Sequence, residues 1–420
     1  MGQPWMQRLF DGALVSWRVT ESAAQSVALG ALFVSPGAHR AREARLATHR
    51  LPAPPRSVAT AVHATVDELF LSGFRLVEED LTAADAERIA VEAAEAVAVY
   101  RRAGWLDDPA SYHAAPDTPV EVDTHPVSIG RNHAEVAAWD SGWRVAVGEP
   151  GSERWDHYLA NRRARTVIFR HPGPPRPWLV CVHPARSGRA GPNLTMFRAA
   201  HLYRDLGLNL AFPLLPLHGP RARGCSATFP TMDIMDNVHG LAQAAWDVRR
   251  TLAWLRAEGA SSIGLTGISL GGYVSALVAG LEPALACVIV GSPAADFPAL
   301  FARHGAGTQP HLVPLLSLCA DAHTVVSPLR LAPRTPRDRL FVHAGLADRL
   351  GPPIDHAVPI WEHWGRPSAC WHPGGHLGFV VRPEVGRFVD EALTSSGLVS
   401  PGAVYEVIDE AVDEPVAHPA

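Results

Sequence analysis

A run of β-branched and apolar residues, Ile263–Ile268, leads into Gly267-Ile268-Ser269-Leu270-Gly271-Gly272, and an apolar helical pattern, Leu270–Leu281, leaves it. A serine between such a strand and such a helix sits at a tight, strained turn. Side chains at the two flanking glycine positions would collide with the strand and helix that meet there. In a chain with 35 glycines the pentapeptide alone is a weak signal, and its strand–serine–helix context is what makes it specific. That context is the one expected of a nucleophile elbow.

The chain has 420 residues, of which 47% are hydrophobic, enough for a sizeable core in one large domain with additions or in two domains. Its formal net charge of -5 offers no basic field to a polyanion, and no arginine run is interleaved with aromatics, so nucleic acid is not expected as a partner. All 37 basic residues are arginine, which with abundant alanine fits a GC-rich coding bias and carries no functional reading. Cys181, Cys225, Cys287, Cys319 and Cys370 are odd in number, widely spaced and mostly set in apolar runs, which suggests neither a disulfide framework nor a zinc ribbon. A reducing cytoplasm fits them. The amino terminus has no cationic start leading into an apolar segment, and no stretch reaches the roughly 18 uninterrupted apolar residues of a membrane span. A cytoplasmic protein with no integral membrane segment is expected, and a peripheral membrane contact through the N-terminal apolar segments stays open.

Residues 1–125 read as an α-helical N-terminal region with a proline-rich break at Leu51–Arg56. Its best helix starts at Thr82, with Asp85 three residues later in a capping-box pattern, and runs through Tyr100 to a stop at Gly104. Nothing chemical clusters in this region, so packing and solubility are its bland roles, against gating or oligomerisation. From about residue 126 the pattern changes to strands, with candidates at Val136–Trp139, Arg165–Phe169 and Trp178–His183. A helix around Leu194–Leu206, a strand Asn209–Leu215 and a long helix Asp236–Glu258 precede the elbow strand. Strands at Ala286–Val290, Leu340–His343 and Ser368–Trp371, and helices near Ile354–Trp364 and Pro383–Leu393, follow it. Apolar strands alternating with helices imply an α/β fold with a mostly parallel sheet covered on both faces. The tail, 399–420, is acidic and expected to be poorly ordered.

A serine hydroxyl is a poor nucleophile at neutral pH; it needs a base within hydrogen-bond reach and a third group to hold that base in the right tautomer. Past Ser269, the strand Leu340–His343 ends in a loop carrying Asp348, at the sheet edge where parallel strands gather functional groups. The next strand ends in His372-Pro373-Gly374-Gly375-His376, a flexible loop able to bring His376 to the serine. Asp348 is read as the orienting acid and His376 as the general base. Asp355 is a rival to Asp348, which would also serve as a helix cap or as a partner of Arg349. His372 and His376 are four apart, yet the intervening proline and glycines disfavour a helix, so no metal site is expected.

The order Ser, Asp, His, each after its own strand, resembles that of the α/β-hydrolase superfamily over residues 126–398, roughly two thirds of the chain. Leu217-His218-Gly219-Pro220-Arg221 resembles the Gly-x-Arg element of the branch called α/β-hydrolase domain 18, with His218 where that branch usually has tyrosine. One oxyanion donor is expected to be the backbone N–H of Leu270, at the helix start beside the nucleophile. The resemblance implies a second from the loop after Trp178–His183. Many family members have His-Gly there; this chain has His183-Pro184-Ala185-Arg186, and since Pro184 has no N–H the donor falls to Ala185. His183, His218 and Arg221 lie in loops at the same edge and are candidates for substrate contact, with loop packing as the other reading.

The stretch 294–337 is too long for an ordinary connection, and its Phe297, Leu300, Phe301, Leu312 and Leu315 make it a cap or lid. An apolar cap favours a hydrophobic acyl chain. The leading expectation is a serine hydrolase acting on a small-molecule ester with such a chain, needing no cofactor. The alternatives are an acyltransferase using the same triad and a non-catalytic binding module of the same fold. The oligomeric state is not legible in the sequence.

Overall fold

The computed structural model describes residues 23–77, 81–119, 121–130, 132–187, 190–225, 228–303 and 312–400. Residues 23–33 are helical. Ser35 then caps α1 (Pro36–Ala47), and the proline-rich Leu51–Arg56 separates it from α2 (Val58–Val77). In front of α3 (Ala83–Ala103), Thr82 and Asp85 each accept the other's backbone N–H, forming the capping box expected from the sequence. Gly104, left-handed at φ 78°, stops the helix.

The remaining elements run β1 (Asp123–Ile129), β2 (Asn132–Asp140), β3 (Arg163–Phe169), β4 (Trp178–Val182), β5 (Asn209–Pro213), α4 (Ile234–Ala257), β6 (Ile263–Ile268), α5 (Leu270–Leu281), β7 (Val288–Gly291), α6 (Leu315–Ala322), β8 (Leu340–Gly345), α7 (Ala357–His363), β9 (Ser368–His372) and α8 (Pro383–Ser395). The strands form one sheet in the order β1-β2-β3-β5-β4-β6-β7-β8-β9. Pairing is parallel from β5 through β9 and antiparallel among β1, β2, β3 and β5. Every residue of β4, β6 and α5 is buried, as expected of central strands and a helix covered on all sides.

Two elements differ from the sequence reading. The helix around Leu194–Leu206 is instead a short helix, Ala190–Met196, and a separate turn, His201–Asp205, with Arg198 at φ 53° between them. β1 begins at Asp123; it is an edge strand exposed at its first four positions and containing Pro126, so it carries little of the alternation by which a strand is recognised.

Of the N-terminal helices, α3 shares the sheet's core, while Leu46 of α1 and Ala64 of α2 belong to smaller separate clusters. Ile89, Ala93, Val97 and Tyr100 of α3 belong to the same buried cluster as Leu241, Val248 and Leu252 of α4. Ion pairs run alongside: Arg154 bonds Glu92 of α3 at 2.9 Å and Asp236 of α4 at 2.8 Å. At the other end Leu398 and Val399 are buried, whereas residues 401–420 of the acidic tail lie outside the described residues. No disulfide joins the cysteines among the described residues, and no helix among them is long and apolar enough to cross a membrane.

Candidate active site

β6 ends and α5 begins at Ser269, whose backbone is held at φ 57° and ψ -116°. A conformation so rare for a residue with a side chain costs about 1–3 kcal/mol. Burial of Ile263, Leu265, Ile268, Val274, Leu277 and Leu281 on either side, at about 1.5–3 kcal/mol per large apolar side chain, outweighs it. The glycines are required by contact. A Cβ on Gly267 would strike the Gly271 carbonyl, and one on Gly271 would strike the carbonyl of Val182 in β4 and lie 2.7 Å from that of His183. A Cβ on Gly272 would lie 2.9 Å from Pro293. The motif therefore packs helix, elbow strand and neighbouring strand closer together than any side chain allows.

The loops after β8 and β9 bring Asp348 and His376 together. Asp348 is buried; its Oδ2 accepts from His376 Nδ1 at 2.6 Å and its Oδ1 accepts the Gly351 N–H at 2.8 Å. With Nδ1 donating, Nε2 is the nitrogen that can accept, and among the described residues it has no hydrogen bond. The rival readings of the acid have other partners: Asp355 pairs with Arg45 at 3.2 Å, and Arg349 pairs with Glu68 at 2.6 Å. Burial pulls the His376 pKa down, but the charge and hydrogen bond of Asp348, with the charge of Asp67, outweigh it, and the net shift is upward. Ser269 and His376 line the same two cavities. Among the described residues no hydrogen bond joins the serine hydroxyl to the imidazole, a looseness common before substrate binds.

Asp67 is the residue that sequence reasoning missed. It comes from α2, is completely buried, and lies beside the Asp348–His376 pair with its oxygens accepting the backbone N–H groups of His376 and Arg349. Burial first, then the Asp348 charge, raises its pKa. Asp67 to Glu68 in a helix far upstream gives no local signal; only the tertiary fold places it.

One cavity is lined by Leu71, Met232, Phe297, Leu300, Phe301 and Cys319, the other by Phe70, Pro192, Met196 and Leu377, and Ala185, Arg186 and Leu350 are common to both. Phe297, Leu300 and Phe301 come from the stretch 294–337, in which 304–311 lie outside the described residues. Leu270 opens α5, where the first backbone N–H groups have no partner within the helix. Ala185 lines both cavities, and the neighbouring Arg186 N–H is held by His218 Nε2 at 2.9 Å.

The three candidates for substrate contact are bonded into the scaffold. His183 donates from Nδ1 to the Pro184 carbonyl at 2.8 Å and accepts the Leu215 N–H at Nε2 at 3.0 Å. His218 donates from Nδ1 to the Pro216 carbonyl at 2.8 Å. Arg221 reaches the carbonyls of Leu214 and Asn161 at 2.7 Å and Asp247 at 2.8 Å. All three are buried and none of them lines either cavity, which is the loop-packing alternative. Burial lowers the pKa of His183 to about 3 and of His218 to about 4, so both are neutral supports of the loop that carries Ala185. Among the described residues no group of three His, Cys, Asp or Glu side chains is placed to hold a metal ion.

A mostly parallel sheet flanked by helices, with a strained serine after β6 and an Asp–His pair from the loops after β8 and β9, is the α/β-hydrolase fold. No family model matches the chain. Over 354 residues it is 43% identical to uncharacterized protein Rv2627c of Mycobacterium tuberculosis (strain ATCC 25618 / H37Rv), spanning 83% of this chain and 86% of that protein. The same figures, 43% over 354 residues, hold for uncharacterized protein MT2702 of strain CDC 1551 / Oshkosh. The chain belongs to the family of these mycobacterial proteins. Among solved structures it is similar to acetyl xylan esterase 1 from Thermoanaerobacterium sp. JW/SL YS485, with TM-score 0.49 and 13% identity over 70% of this chain and 93% of that one. It is also similar to Est1E from Butyrivibrio proteoclasticus, with TM-score 0.40 and 15% identity over 55% of this chain and 95% of that one.

Proposed function

We propose that the protein is a serine hydrolase that cleaves carboxylic esters with a hydrophobic acyl group. The Asp348–His376 hydrogen bond beside a strained serine in a shared cavity carries this reading. In it, Ser269 Oγ attacks the ester carbonyl carbon while His376 Nε2 takes its proton. The tetrahedral oxyanion is held by the N–H groups of Leu270 and Ala185. Collapse breaks the bond to the alcohol oxygen, which leaves with the proton from His376, and an acyl group stays on Ser269. Water then attacks the acyl carbon while His376 takes its proton, the bond from that carbon to Ser269 Oγ breaks, and His376 returns the proton to Ser269 Oγ as the acid leaves. Asp348 keeps Nδ1 protonated and stabilises the imidazolium in both steps. The apolar walls of the cavity containing Phe297, Leu300 and Phe301 suit the acyl chain, and the second cavity suits the alcohol.

Labelling by a fluorophosphonate probe tests this, with wild type beside Ser269→Ala and His376→Ala, each checked for folding. Labelling of wild type lost in both variants, followed by turnover of p-nitrophenyl esters that improves with acyl chain length, is the expected result. A folded wild type that neither labels nor turns over any such ester refutes the assignment.

A further inference from the structure

We propose that Asp67, carried by α2 of the N-terminal region, is a positioning residue of the active site: its carboxylate ties the loop bearing His376 to the loop bearing Asp348. The inference rests on the serine-hydrolase reading above and adds to it a residue outside the triad. Asp67 Oδ2 accepts the Arg349 N–H at 2.9 Å and the His376 N–H at 2.9 Å, and Oδ1 lies 3.1 Å from the same His376 nitrogen. One carboxylate thus holds the backbone of the base itself and of the residue next to the acid. A second bond from the same helix reinforces it, since Glu68 accepts from Arg349 Nε at 2.7 Å.

The glycine before His376 fits this role. A Cβ on Gly375 would lie 2.7 Å from Asp67 Oδ2, so the carboxylate reaches the loop only because Gly375 has no side chain. A buried carboxylate taken from a distant helix and seated against a glycine is more than packing requires, because burial opposes its ionisation and an apolar residue would meet no such opposition. Two other charged groups face it, Asp348 and His376, with the Glu68–Arg349 pair on its flank. Arg42 and Arg303 flank Arg349, and one turn earlier on α2 His63 bonds Arg382 at 3.1 Å.

Two consequences follow. Loosening the His376 loop slows proton transfer, and Asp67, whose pKa is raised to about 7 by burial and the Asp348 charge, favours the protonated form of His376 where it is ionised. Asp67 lines neither cavity, so substrate binding should be unaffected.

The experiment measures the rate of fluorophosphonate capture by Ser269 against pH in the full chain, as wild type, Asp67→Asn, Glu68→Gln and Gly375→Ala, with melting curves for each. KM for an ester is measured alongside. Asp67→Asn is expected to slow capture about tenfold or more and to move the acidic limb down by about half a pH unit, with KM unchanged. Glu68→Gln and Gly375→Ala keep Asp67; Gly375→Ala should slow capture, and neither should move the limb as far. Capture by folded Asp67→Asn at the wild-type rate, or a loss that appears in KM instead, overturns the proposal. Should Asp67→Asn fail to fold, Gly375→Ala decides, and capture by it at the wild-type rate overturns the proposal. Absence of capture by wild type overturns the serine-hydrolase reading itself, which distinguishes the two failures.

Discussion

Replacing Gly271 by alanine puts one methyl group where the fold has no room, and a matched site in the same chain supplies the opposite case. Gly271 and Gly37 are both the second residue of a helix, α5 and α1 respectively. In a helix alanine is preferred to glycine by up to about 1 kcal/mol. At Gly37 a Cβ would meet nothing within 4 Å, so Gly37→Ala should gain some of that. At Gly271 the Cβ would strike the Val182 carbonyl and lie 2.7 Å from that of His183, both backbone atoms of buried β4 and its following loop. Relief requires α5 to back away from β4, an overpacking cost of about 1–3 kcal/mol or more that exceeds the propensity gain. The displaced element carries Ser269 and the Leu270 N–H, and a misplacement of about 1 Å in such a group costs about 100-fold in rate. Melting temperature and fluorophosphonate capture measure the two effects. Gly271→Ala should melt a few degrees below wild type and capture the probe about 100-fold more slowly, whereas Gly37→Ala should melt at or above wild type and capture normally. A Gly271→Ala protein that melts and reacts like wild type would refute the argument that contact with β4 requires this glycine.

Asp348→Asn turns an amide toward His376 Nδ1 and allows the wrong tautomer, so ester turnover should fall about 10⁴-fold while the fold persists; a loss below tenfold would count against Asp348 as the orienting acid. Arg221→Met leaves Asp247 buried without its cation and should cost about 3–5 kcal/mol in urea melts, of which the added change Asp247→Leu should recover a part. Burial lowers His113, His183, His218, His239, His323, His343 and His372 to about 3 or about 4 from an unfolded value near 6.5. Below pH 6.5 the unfolded chain therefore binds more protons at these sites than the folded one, and stability falls toward the folded values at on the order of 1 kcal/mol per pH unit for each histidine. His376, Asp67, Glu149, Asp236 and Asp247 have raised values and oppose this, but they are fewer. The melting temperature should drop between pH 7 and pH 5; an unchanged or rising one would show that these rings are not neutral and buried.

The legible parts of the fold are those in which a local pattern and the tertiary demand coincide. β6 and α5 occupy Ile263–Ile268 and Leu270–Leu281, the bounds read from the sequence, because both elements are buried on every side and therefore apolar throughout. The start and stop of α3 were legible because Thr82, Asp85 and Gly104 act on their own backbone. β1 was not, because an edge strand exposed along its first half has no buried face to mark. Histidine and arginine in loops are ambiguous for a similar reason. His183, His218 and Arg221 have the same chemistry whether they meet a substrate or a carbonyl, and each has one partner set by a residue 32 or 60 positions away. Asp67 lies 309 positions from the backbone N–H it accepts at His376, beyond the range of any spacing argument.

With this many buried histidines, which ring can serve as the proposed base is a question of partners. His183 follows β4, His218 lies in the loop after β5, His343 is within β8 and His372 ends β9, and burial makes each a weak base with a pKa of about 3 or about 4. His376 is as deeply buried and meets the same desolvation, yet its value moves up. The difference lies in the Asp348 carboxylate on Nδ1 and the Asp67 carboxylate near its backbone. His183 and His218 also have both ring nitrogens engaged, donating to one carbonyl and accepting one N–H, so no lone pair is left to take a proton from serine. His376 spends Nδ1 on Asp348 and keeps Nε2. A ring made more basic by buried carboxylates, with no hydrogen bond to Nε2 among the described residues and in a cavity shared with a strained serine, is what separates this imidazole from its neighbours.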